Sequence, residues 1–392
     1  MRSLVLILFF TGVVLFLPGP LFQRMLYFLL GLVLWVRRAN RIVGEKIVVQ
    51  VDTLHSKGFV GDDLFLTLKV ANPTGFPVFW CTVRQSFPEG IGGFCQRWAL
   101  ALDAREKKEL KVGFRGQRRG IFPVPDVRLT HGDAWGITEK SRDFKFTEQI
   151  IIYPAISPVA EEWIERHLPL GRQKIIFGLH EDQARLRGCR EYRPGDSMKR
   201  IHWPSSARTG RLQAKDWETT LNSEIGIFLN LAEEDYPAAD WFRLAELGIE
   251  CAASLVVHLY NRGEKVGFFS NGKSIAAPAG GIFSVSAKIG KRQDEKILTY
   301  LAGADLAKGQ DQLVLLTEAR RLPVGASPVI ITPNITRAMV EKAHGLRRSG
   351  YHPVFLWLRS HHIEIPEAEL KLLKVPVVNV IRERETDAVC FC

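Results

Sequence analysis

The spacing of apolar residues changes once along this chain, and the change sets the fold class. Between residues 47 and 152, apolar and polar residues alternate in short runs such as Leu64, Leu66, Leu68 and Val70. Turn-forming clusters, among them Asn72-Pro73-Thr74-Gly75, separate these runs. Alternation with a period of two predicts antiparallel strands, and short strands at regular intervals predict an all-β sandwich domain over residues 47–152.

After Ser223 the pattern predicts strands alternating with helices. Residues 225–231 read as a buried strand, and Asn261-Arg262-Gly263 ends the helix that follows it. One face of that helix carries Leu244, Leu247, Gly248, Cys251, Ala252, Leu255 and Leu259. Further strands are predicted at 266–269, 313–317, 329–332, 354–358 and 377–381, with a helix from Thr336 to Arg348. We therefore expect an α/β (Rossmann-type) domain over residues 223–385, with a mostly parallel sheet covered on both faces.

The N-terminus holds two apolar runs, Ser3 to Leu17 and Leu21 to Val36, separated by Pro18-Gly19-Pro20. This pattern predicts a transmembrane helical hairpin within residues 1–40. Each run is shorter than the roughly 20 residues of a standard span, so a signal peptide followed by one stretch, or a hairpin in one leaflet, stays open. The basic residues Arg37, Arg38, Arg41 and Lys46 follow the second run, and Arg2 precedes the first. The positive-inside rule then predicts a two-helix protein of the cytoplasmic membrane with its soluble domains in the cytoplasm.

The most unusual segment lies between the two soluble domains. The chain carries a net charge of +11, and residues 187–216 alone hold eight basic and three acidic residues, which favours an anionic partner. Pro194-Gly195-Asp196 predicts a turn between forked arginine donors, so we expect bidentate pairs with carboxylates of this chain or of a partner. Trp203 and Ala207 are expected to be packed. The alternative is a solvated loop whose arginines pair with ordinary surface acids.

This segment resembles the signature of the bacterial "domain of unknown function 58" family. The matching residues are Arg190, Tyr192, Pro194, Gly195, Asp196, Arg200, Ile201, Trp203, Ser206, Ala207, Arg208 and Lys215. Arg193, which lies within this pattern, is a further candidate site residue. Looser similarity extends to Gly61-Asp62, to residues 119–122 and to residues 133–136. The resemblance implies a signature segment over residues 153–222 and a von Willebrand A-like domain after it. It also implies a non-enzymatic, membrane-anchored assembly or adaptor protein that acts with a MoxR-type AAA+ ATPase and other membrane or envelope proteins, in complex maturation or cell-envelope processes.

Metal binding is not expected at the usual position of that fold. There the first strand ends in Asp-x-Ser-x-Ser, whereas this chain reads Asn230-Leu231-Ala232-Glu233-Glu234. An amide replaces the carboxylate and a methyl group replaces the first hydroxyl, so a hard cation would lose an anionic ligand and a hydroxyl ligand. Cys390 and Cys392 with His361 and His362 do not have a standard zinc spacing. We therefore predict no metal and no cofactor.

Two alternative functions remain. Cys189, His202 and Asp196 contain the groups of a cysteine hydrolase, although no backbone oxyanion turn is evident around the cysteine. The basic segment 187–216, with Tyr192 and Trp203 interleaved, has the composition of a membrane-surface or nucleic-acid-binding site. The predicted membrane anchor makes nucleic acid the less favoured partner. Phosphate-binding loops and the common zinc-protease and serine-hydrolase motifs are absent from the sequence.

Overall fold

A computed structural model describes residues 12, 20–52, 57–133, 139–168, 172–174, 186–193, 196–217, 220–222, 224–277, 281–288, 292–359, 375–382 and 389–391. The chain divides into two units, residues 1–155 and residues 156–392. In its described residues, the first unit contains a long helix and a set of strands. The second is an α/β unit that begins with short elements and continues into a large sheet.

The alternating residues of the first unit form the predicted strands. They are β1 (Val48–Asp52), β2 (Lys57–Phe59), β3 (Asp63–Ala71), β4 (Val78–Ser86), β5 (Cys95–Leu102), β6 (Lys107–Arg115), β7 (Gly120–Pro123), β8 (Val127–Gly132), β9 (Glu139–Phe144) and β10 (Gln149–Tyr153). Their sheets have the orders β1-β3-β6, β5-β4-β8-β9 and β2-β10-β7. Pairing is antiparallel except between β2 and β10.

One hydrophobic core joins these sheets. Leu64, Leu66, Leu68 and Val70 of β3 are all buried, as their alternation predicted. They belong to the same buried cluster as residues of the other sheets, among them Val83, Leu129 and Ile150. The predicted β-rich domain is therefore confirmed in this part of the chain.

Helix α1 (Pro20–Lys46) is the first element of this unit. Its last turns pack on the strands, because Val43 and Ile47 are buried in the core of the sheets. The Asn40 Oδ1 and His131 Nδ1 atoms lie 2.9 Å apart, which joins the helix to β8. Burial lowers the pKa of His131, so the imidazole is held neutral against the helix.

The N-terminal prediction is corrected in part. The second apolar run is helical, but the helix continues ten residues past Val36, through the basic residues, and ends at Lys46. Within the described residues no helix is both long enough and apolar enough to cross a membrane, so the structure does not support the transmembrane hairpin. Gln23 and Arg24 interrupt the apolar run near its start. The first run, Ser3 to Leu17, lies outside the described residues apart from Gly12.

The second unit is built around one large sheet. Its helices are α2 (Glu161–His167), α3 (Trp203–Thr209), α4 (Trp241–Asn261), α5 (Gln293–Ala302), α6 (Gln312–Thr317) and α7 (Arg337–Arg348). Its strands are β11 (Arg172–Lys174), β12 (Leu186–Glu191), β13 (Gln213–Trp217), β14 (Thr220–Asn222), β15 (Ile225–Leu229), β16 (Val266–Ser270), β17 (Lys273–Ser274), β18 (Phe283–Lys288), β19 (Ala304–Asp305), β20 (Ser327–Thr332), β21 (Val354–Leu358), β22 (Val377–Arg382) and β23 (Val389–Phe391).

The large sheet has the order β18-β16-β15-β20-β21-β22-β23. Its inner strands are parallel, and the edge strands β18 and β23 are antiparallel to their neighbours. In register, Ile227 of β15 lies between Phe268 of β16 and Val329 of β20. The mostly parallel sheet is confirmed. The carboxyl ends of β15, β16 and β20 consequently meet at one edge, where ligands bind in sheets of this kind.

Both helix predictions are confirmed, and one strand prediction is wrong. The predicted apolar face of α4 is buried, and α7 begins after Thr336, whose side chain accepts from the Met339 N–H. Residues 313–317, however, form helix α6 and not a strand. The Asp311 side chain accepts from the Leu313 N–H and so begins the helix. A short apolar run does not distinguish a strand from a buried helical turn by periodicity alone.

Candidate functional site

The signature segment folds as a hairpin with an insertion. Strands β12 and β13 pair antiparallel, with Cys189 opposite Lys215 and Arg190 opposite Ala214. Between the strands lie a 3-10 turn, Met198–Arg200, and helix α3. Ile201 bridges to Ala214, and both residues are buried. The segment thus has its own ordered framework in the described residues, which argues against a solvated loop.

A bidentate ion pair closes the turn of the hairpin. The Arg190 Nη1 atom lies 2.7 Å from Asp196 Oδ2, and Arg190 Nη2 lies 2.7 Å from Asp196 Oδ1. The Arg193 N–H also donates to Asp196 Oδ2, at 3.0 Å. The Arg190 guanidinium, and then the Arg193 N–H, lower the pKa of the Asp196 carboxyl from 3.8 to about 2. The carboxylate is therefore ionised at neutral pH and holds both arms of the turn.

Tyr192 strengthens the same turn. Its hydroxyl donates to the Asp196 carbonyl oxygen at 3.0 Å, and its N–H donates to the Leu212 carbonyl oxygen at 2.9 Å. The Asp196 N–H closes the turn on the Arg193 carbonyl oxygen at 3.0 Å. Pro194 and Gly195 lie outside the described residues. The sequence predicted a fork–carboxylate pair in this segment, and the structure assigns it to Arg190 and Asp196.

Helix α3 is fixed by residues that the sequence analysis missed. His202 precedes the helix, and its Nδ1 accepts from the Ser205 N–H at 3.2 Å. The Ser205 hydroxyl lies 2.8 Å from the same nitrogen. The Ser206 hydroxyl donates to the His202 carbonyl oxygen at 3.0 Å and accepts from the Gln213 N–H at 2.9 Å. A histidine cap is hard to recognise from sequence because serine, threonine, aspartate and asparagine are the usual caps.

The expectation that Trp203 and Ala207 are packed is wrong. Trp203 is 64% exposed at the first position of α3, and Ala207 is exposed on the same helix. Their neighbours Ile201 and Ala214 fill the buried side, so the short helix turns Trp203 towards solvent. Met198 and Leu212 are also exposed. We call the exposed residues Arg193, Met198, Lys199, Trp203, Arg208 and Leu212 the signature surface.

The remaining predicted residues lie around this framework. Arg200 ends the 3-10 turn and is half-buried, with its N–H donating to the Ser197 carbonyl oxygen at 2.9 Å. Lys215 is half-buried on β13. Arg193 and Arg208 are exposed. The exposed side chains of this segment thus include both cationic and apolar groups, which suits a partner that is acidic and partly apolar.

We expect Arg190→Lys to loosen the turn although the charge is kept, because lysine cannot donate from two coplanar nitrogens to one carboxylate. Amide hydrogen exchange at Arg193 and Asp196 should become roughly tenfold faster. Arg208→Lys, on an exposed position, is the control and should leave these rates unchanged. Equal rates in both variants would contradict the ion pair.

The same pair has a defined pH dependence. The Asp196 pKa is lowered in the folded chain, so its contribution is complete above the ordinary value of 3.8 and is lost as pH falls through about 2. The turn should therefore keep its stability at pH 5 and lose it only in strong acid. A loss that begins near neutral pH would point to another group.

A second polar cluster lies at the carboxyl edge of the large sheet. Asn230 follows β15 and is completely buried, and its Oδ1 accepts from the Ala232 N–H at 3.1 Å. Its amide nitrogen lies 2.9 Å from Asp235 Oδ2, 3.1 Å from Thr332 Oγ1 and 3.2 Å from Gln312 Oε1. Burial is the main cause that raises the pKa of the Asp235 carboxyl.

This cluster contains Asn230, the residue that the sequence comparison aligned with a metal-binding carboxylate. Asn271, which follows β16, donates to Asn230 Oδ1 at 2.9 Å and accepts from the Leu231 N–H at 2.7 Å. The side-chain amides of Asn230 and Asn271 are therefore bonded to each other and to backbone N–H groups, and their oxygen atoms are already occupied by hydrogen bonds. Among the described residues, no three His, Cys, Asp or Glu side chains gather as a metal site. His361, His362 and Cys392 lie outside them.

The three residues of the cysteine hydrolase alternative have different neighbours. The Asp196 carboxylate is bonded to Arg190. Cys189 Sγ lies 3.4 Å from Ser205 Oγ, and the imidazole of His202 contacts that same hydroxyl through Nδ1. A serine therefore lies between the thiol and the imidazole, and the carboxylate that would orient the imidazole serves the turn.

These features define a two-unit protein in which a basic hairpin precedes an α/β sheet. A model of the family described as "Protein of unknown function DUF58" matches residues 188–346, which span the hairpin and most of the sheet. The uncharacterized protein YeaD of Bacillus subtilis (strain 168) is 23% identical over 339 residues, which cover 83% of this chain and 79% of that protein. Residues 188–346 thus match the model of the family that the signature resembles.

Solved structures resemble parts of the chain only weakly. The CARDB domain of the PF1109 protein from Pyrococcus furiosus is 17% identical and covers 27% of this chain and 92% of that domain, with a TM-score of 0.20. Proximal thread matrix protein 1 from the mussel byssus is 11% identical and covers 40% of this chain and 43% of that protein, with a TM-score of 0.29. Scores this low carry no argument about function.

Proposed function

We propose that the chain is a non-enzymatic adaptor that is attached to a membrane and docks a partner protein through the signature surface. The observation that carries the proposal is the combination of a rigid turn, closed by Arg190 and Asp196, with an exposed Trp203. An exposed aromatic side chain on a fixed framework loses little conformational freedom on binding, which is why tryptophan and arginine dominate binding energy in interfaces.

The partner we propose is a MoxR-type AAA+ ATPase, as the family resemblance implies. In that arrangement the ATPase supplies the work of remodelling, and this chain supplies location and specificity. Other membrane or envelope proteins are the proposed clients, in complex maturation or cell-envelope processes. The mixed cationic and apolar character of the signature surface favours an acidic, partly apolar face on the ATPase.

The α/β unit fits this role as a von Willebrand A-like platform. The order of its sheet and its antiparallel edge strand β18 support that assignment. The amide network around Asn230 supports a platform that works without a metal ion.

Membrane attachment is proposed through the apolar part of α1 and the residues before it. Leu21, Met25, Tyr27, Phe28 and Leu34 are exposed large apolar side chains on that part of the helix. Such a surface is unfavourable in water and marks a membrane or protein contact. The basic residues Arg37, Arg38 and Arg41 follow directly and support a cytoplasmic position of the soluble units.

Trp203→Ala should reduce co-purification with a MoxR-type ATPase by roughly tenfold or more, the usual effect of removing an interface tryptophan. The measurement is the ratio of the two proteins after affinity purification from detergent extract. Trp241→Ala is the matched control, because Trp241 is 44% exposed at the start of α4 and lies outside the signature surface. Equal losses from both substitutions, or none from Trp203→Ala, would contradict docking through this surface.

The membrane-surface or nucleic-acid alternative rests on the charge of the same segment. Binding to a phosphate backbone or to anionic headgroups would weaken steeply with salt and would not depend on Trp203 alone. A salt titration of binding to the ATPase, to DNA and to anionic vesicles separates these functions.

A further inference from the structure

We propose that Phe76, in the loop between β3 and β4, and Phe79, at the start of β4, contact the lipid surface beside helix α1. The inference rests on the proposed membrane attachment and names a second contact that this attachment brings about. The partner is a phospholipid bilayer with anionic headgroups. The fold holds both phenylalanine side chains in exposed positions.

Phe76 is 38% exposed and Phe79 is 59% exposed, although both belong to a unit with a large apolar core. Asn72, which is buried, fixes the loop that carries them. Its amide nitrogen donates to the Phe76 carbonyl oxygen and to the Asp103 carbonyl oxygen, each at 2.9 Å. The loop is therefore held from inside and does not fold its aromatic side chains into the core.

Thr74 completes this support. Its hydroxyl donates to Asn72 Oδ1 at 2.7 Å, and the Thr74 N–H donates to the same oxygen at 3.1 Å. These bonds satisfy the buried polar groups of the turn. The bonds of Asn72 and Thr74 therefore hold Phe76 in the loop, next to Phe79 on β4, in a fixed exposed position. Aromatic side chains that are already fixed lose little conformational entropy on binding.

The loop between β3 and β4 lies beside a defined part of helix α1. A cavity of about 140 Å³ is lined by Val36, Asn40 and Val43 of α1, by Phe76 of the loop and by Phe79 of β4, among others. Val36 is the last residue of the apolar run, and Arg37, Arg38 and Arg41 follow it. The two phenylalanines thus lie beside the point where the helix changes from apolar to basic.

That change of character is where a membrane surface would lie. If the apolar part of α1 enters the bilayer, Val36 is at the boundary between acyl chains and headgroups. Phenylalanine side chains of elements that lie on a membrane are buried at this boundary, and arginines beside it complement anionic headgroups. Val43 of α1 and Ile47, which follows the helix, pack in the core of the strands. This packing holds the loop at the same depth in the membrane as Val36. Lipid therefore covers Phe76 and Phe79 when α1 is inserted.

The test places a trifluoromethyl-phenylalanine at position 76, 79 or 65 of the full chain, one at a time. Phe65 is 51% exposed on β3, and it lies roughly 20 Å along that strand from the end that leads into the loop. Each labelled chain is reconstituted into vesicles of neutral and anionic phospholipid that contain a nitroxide lipid near the headgroup. Fluorine signals at 76 and 79 should broaden several-fold more than the signal at 65.

The outcomes separate the inference from the membrane attachment. Flotation of the chain with vesicles, with equal broadening at all three positions, overturns the lipid contact and leaves the attachment standing. Failure to float overturns the attachment and the inference together. Signals at 76 and 79 that shift with protein concentration in detergent, without broadening in vesicles, assign the loop to a second copy of the chain and also overturn the lipid contact. Unchanged thermal unfolding of the labelled chains is the control for folding.

Discussion

Replacing Asn230 by aspartate is expected to destabilise the α/β unit by about 3 kcal/mol at neutral pH, the scale of a buried charged group without a partner. The Ala232 N–H fixes the side-chain oxygen of Asn230, so the amide nitrogen must point towards Asp235, 2.9 Å away. In the variant a carboxylate oxygen takes that place. Two carboxylates at this distance in a buried site cannot both ionise, and one pKa must rise.

The loss of stability should depend on pH. The raised pKa in the folded variant means that the folded state holds a proton that the unfolded state has released. The deficit is therefore small near pH 4, where the unfolded carboxyl also begins to protonate, and grows as pH rises through the raised folded pKa. Denaturant unfolding of the full chain between pH 4 and pH 8 measures it.

Asn230→Ala is the control for Asn230→Asp. It removes the same hydrogen bonds without adding a carboxylate, so it should destabilise the unit with little change of the deficit over that pH range. A stable Asn230→Asp variant at pH 7 would show that Asp235 does not lie against this side chain. Stabilisation of the unaltered chain by magnesium or manganese would contradict the prediction that this position holds no metal.

The fold was predictable wherever one periodicity dominated. The alternation in β3 and the buried face of α4 depend on repeated apolar spacing, and both were found. Helix α6 was predicted as a strand because a run of four apolar residues, Leu313 to Leu316, fits either structure, and the cap from Asp311 starts a helix. The edge strand β18 was missed although Phe283, Val285 and Ala287 alternate with polar residues, a pattern that is typical of a half-buried strand.

The sequence predicted which segment forms the candidate site, but not which of its residues contact one another. Pro194-Gly195-Asp196 indicated a turn between arginines, but the choice of Arg190 as partner of Asp196 depends on the register of β12 and β13. The exposure of Trp203 depends on which side of α3 faces Ile201. The pairing and the exposure both depend on tertiary contacts, which a local sequence pattern does not specify.

Gly44→Ala is expected to destabilise the first unit by about 2 kcal/mol, as overpacking does at a closed contact. A Cβ at this position would lie 2.0 Å from Nε2 and 2.4 Å from Cε1 of His131, and the imidazole is held by Asn40. Alanine normally favours a helix over glycine by about 1 kcal/mol. A net loss would therefore show that the packing of α1 on β8 outweighs helix propensity.

Gly31→Ala is the matched control, because it lies in the same helix and its Cβ would have no neighbour within 4 Å. It should be neutral or stabilising in detergent unfolding experiments. The double variant Gly44→Ala with His131→Ala should recover part of the loss, since the clashing ring is gone, and the coupling energy should exceed about 1 kcal/mol. If Gly44→Ala behaved like Gly31→Ala, the helix would not be docked on the strands. The depth that α1 gives to Phe76 and Phe79 would then have no structural basis, so this contact supports both the fold of the first unit and its proposed position at the membrane.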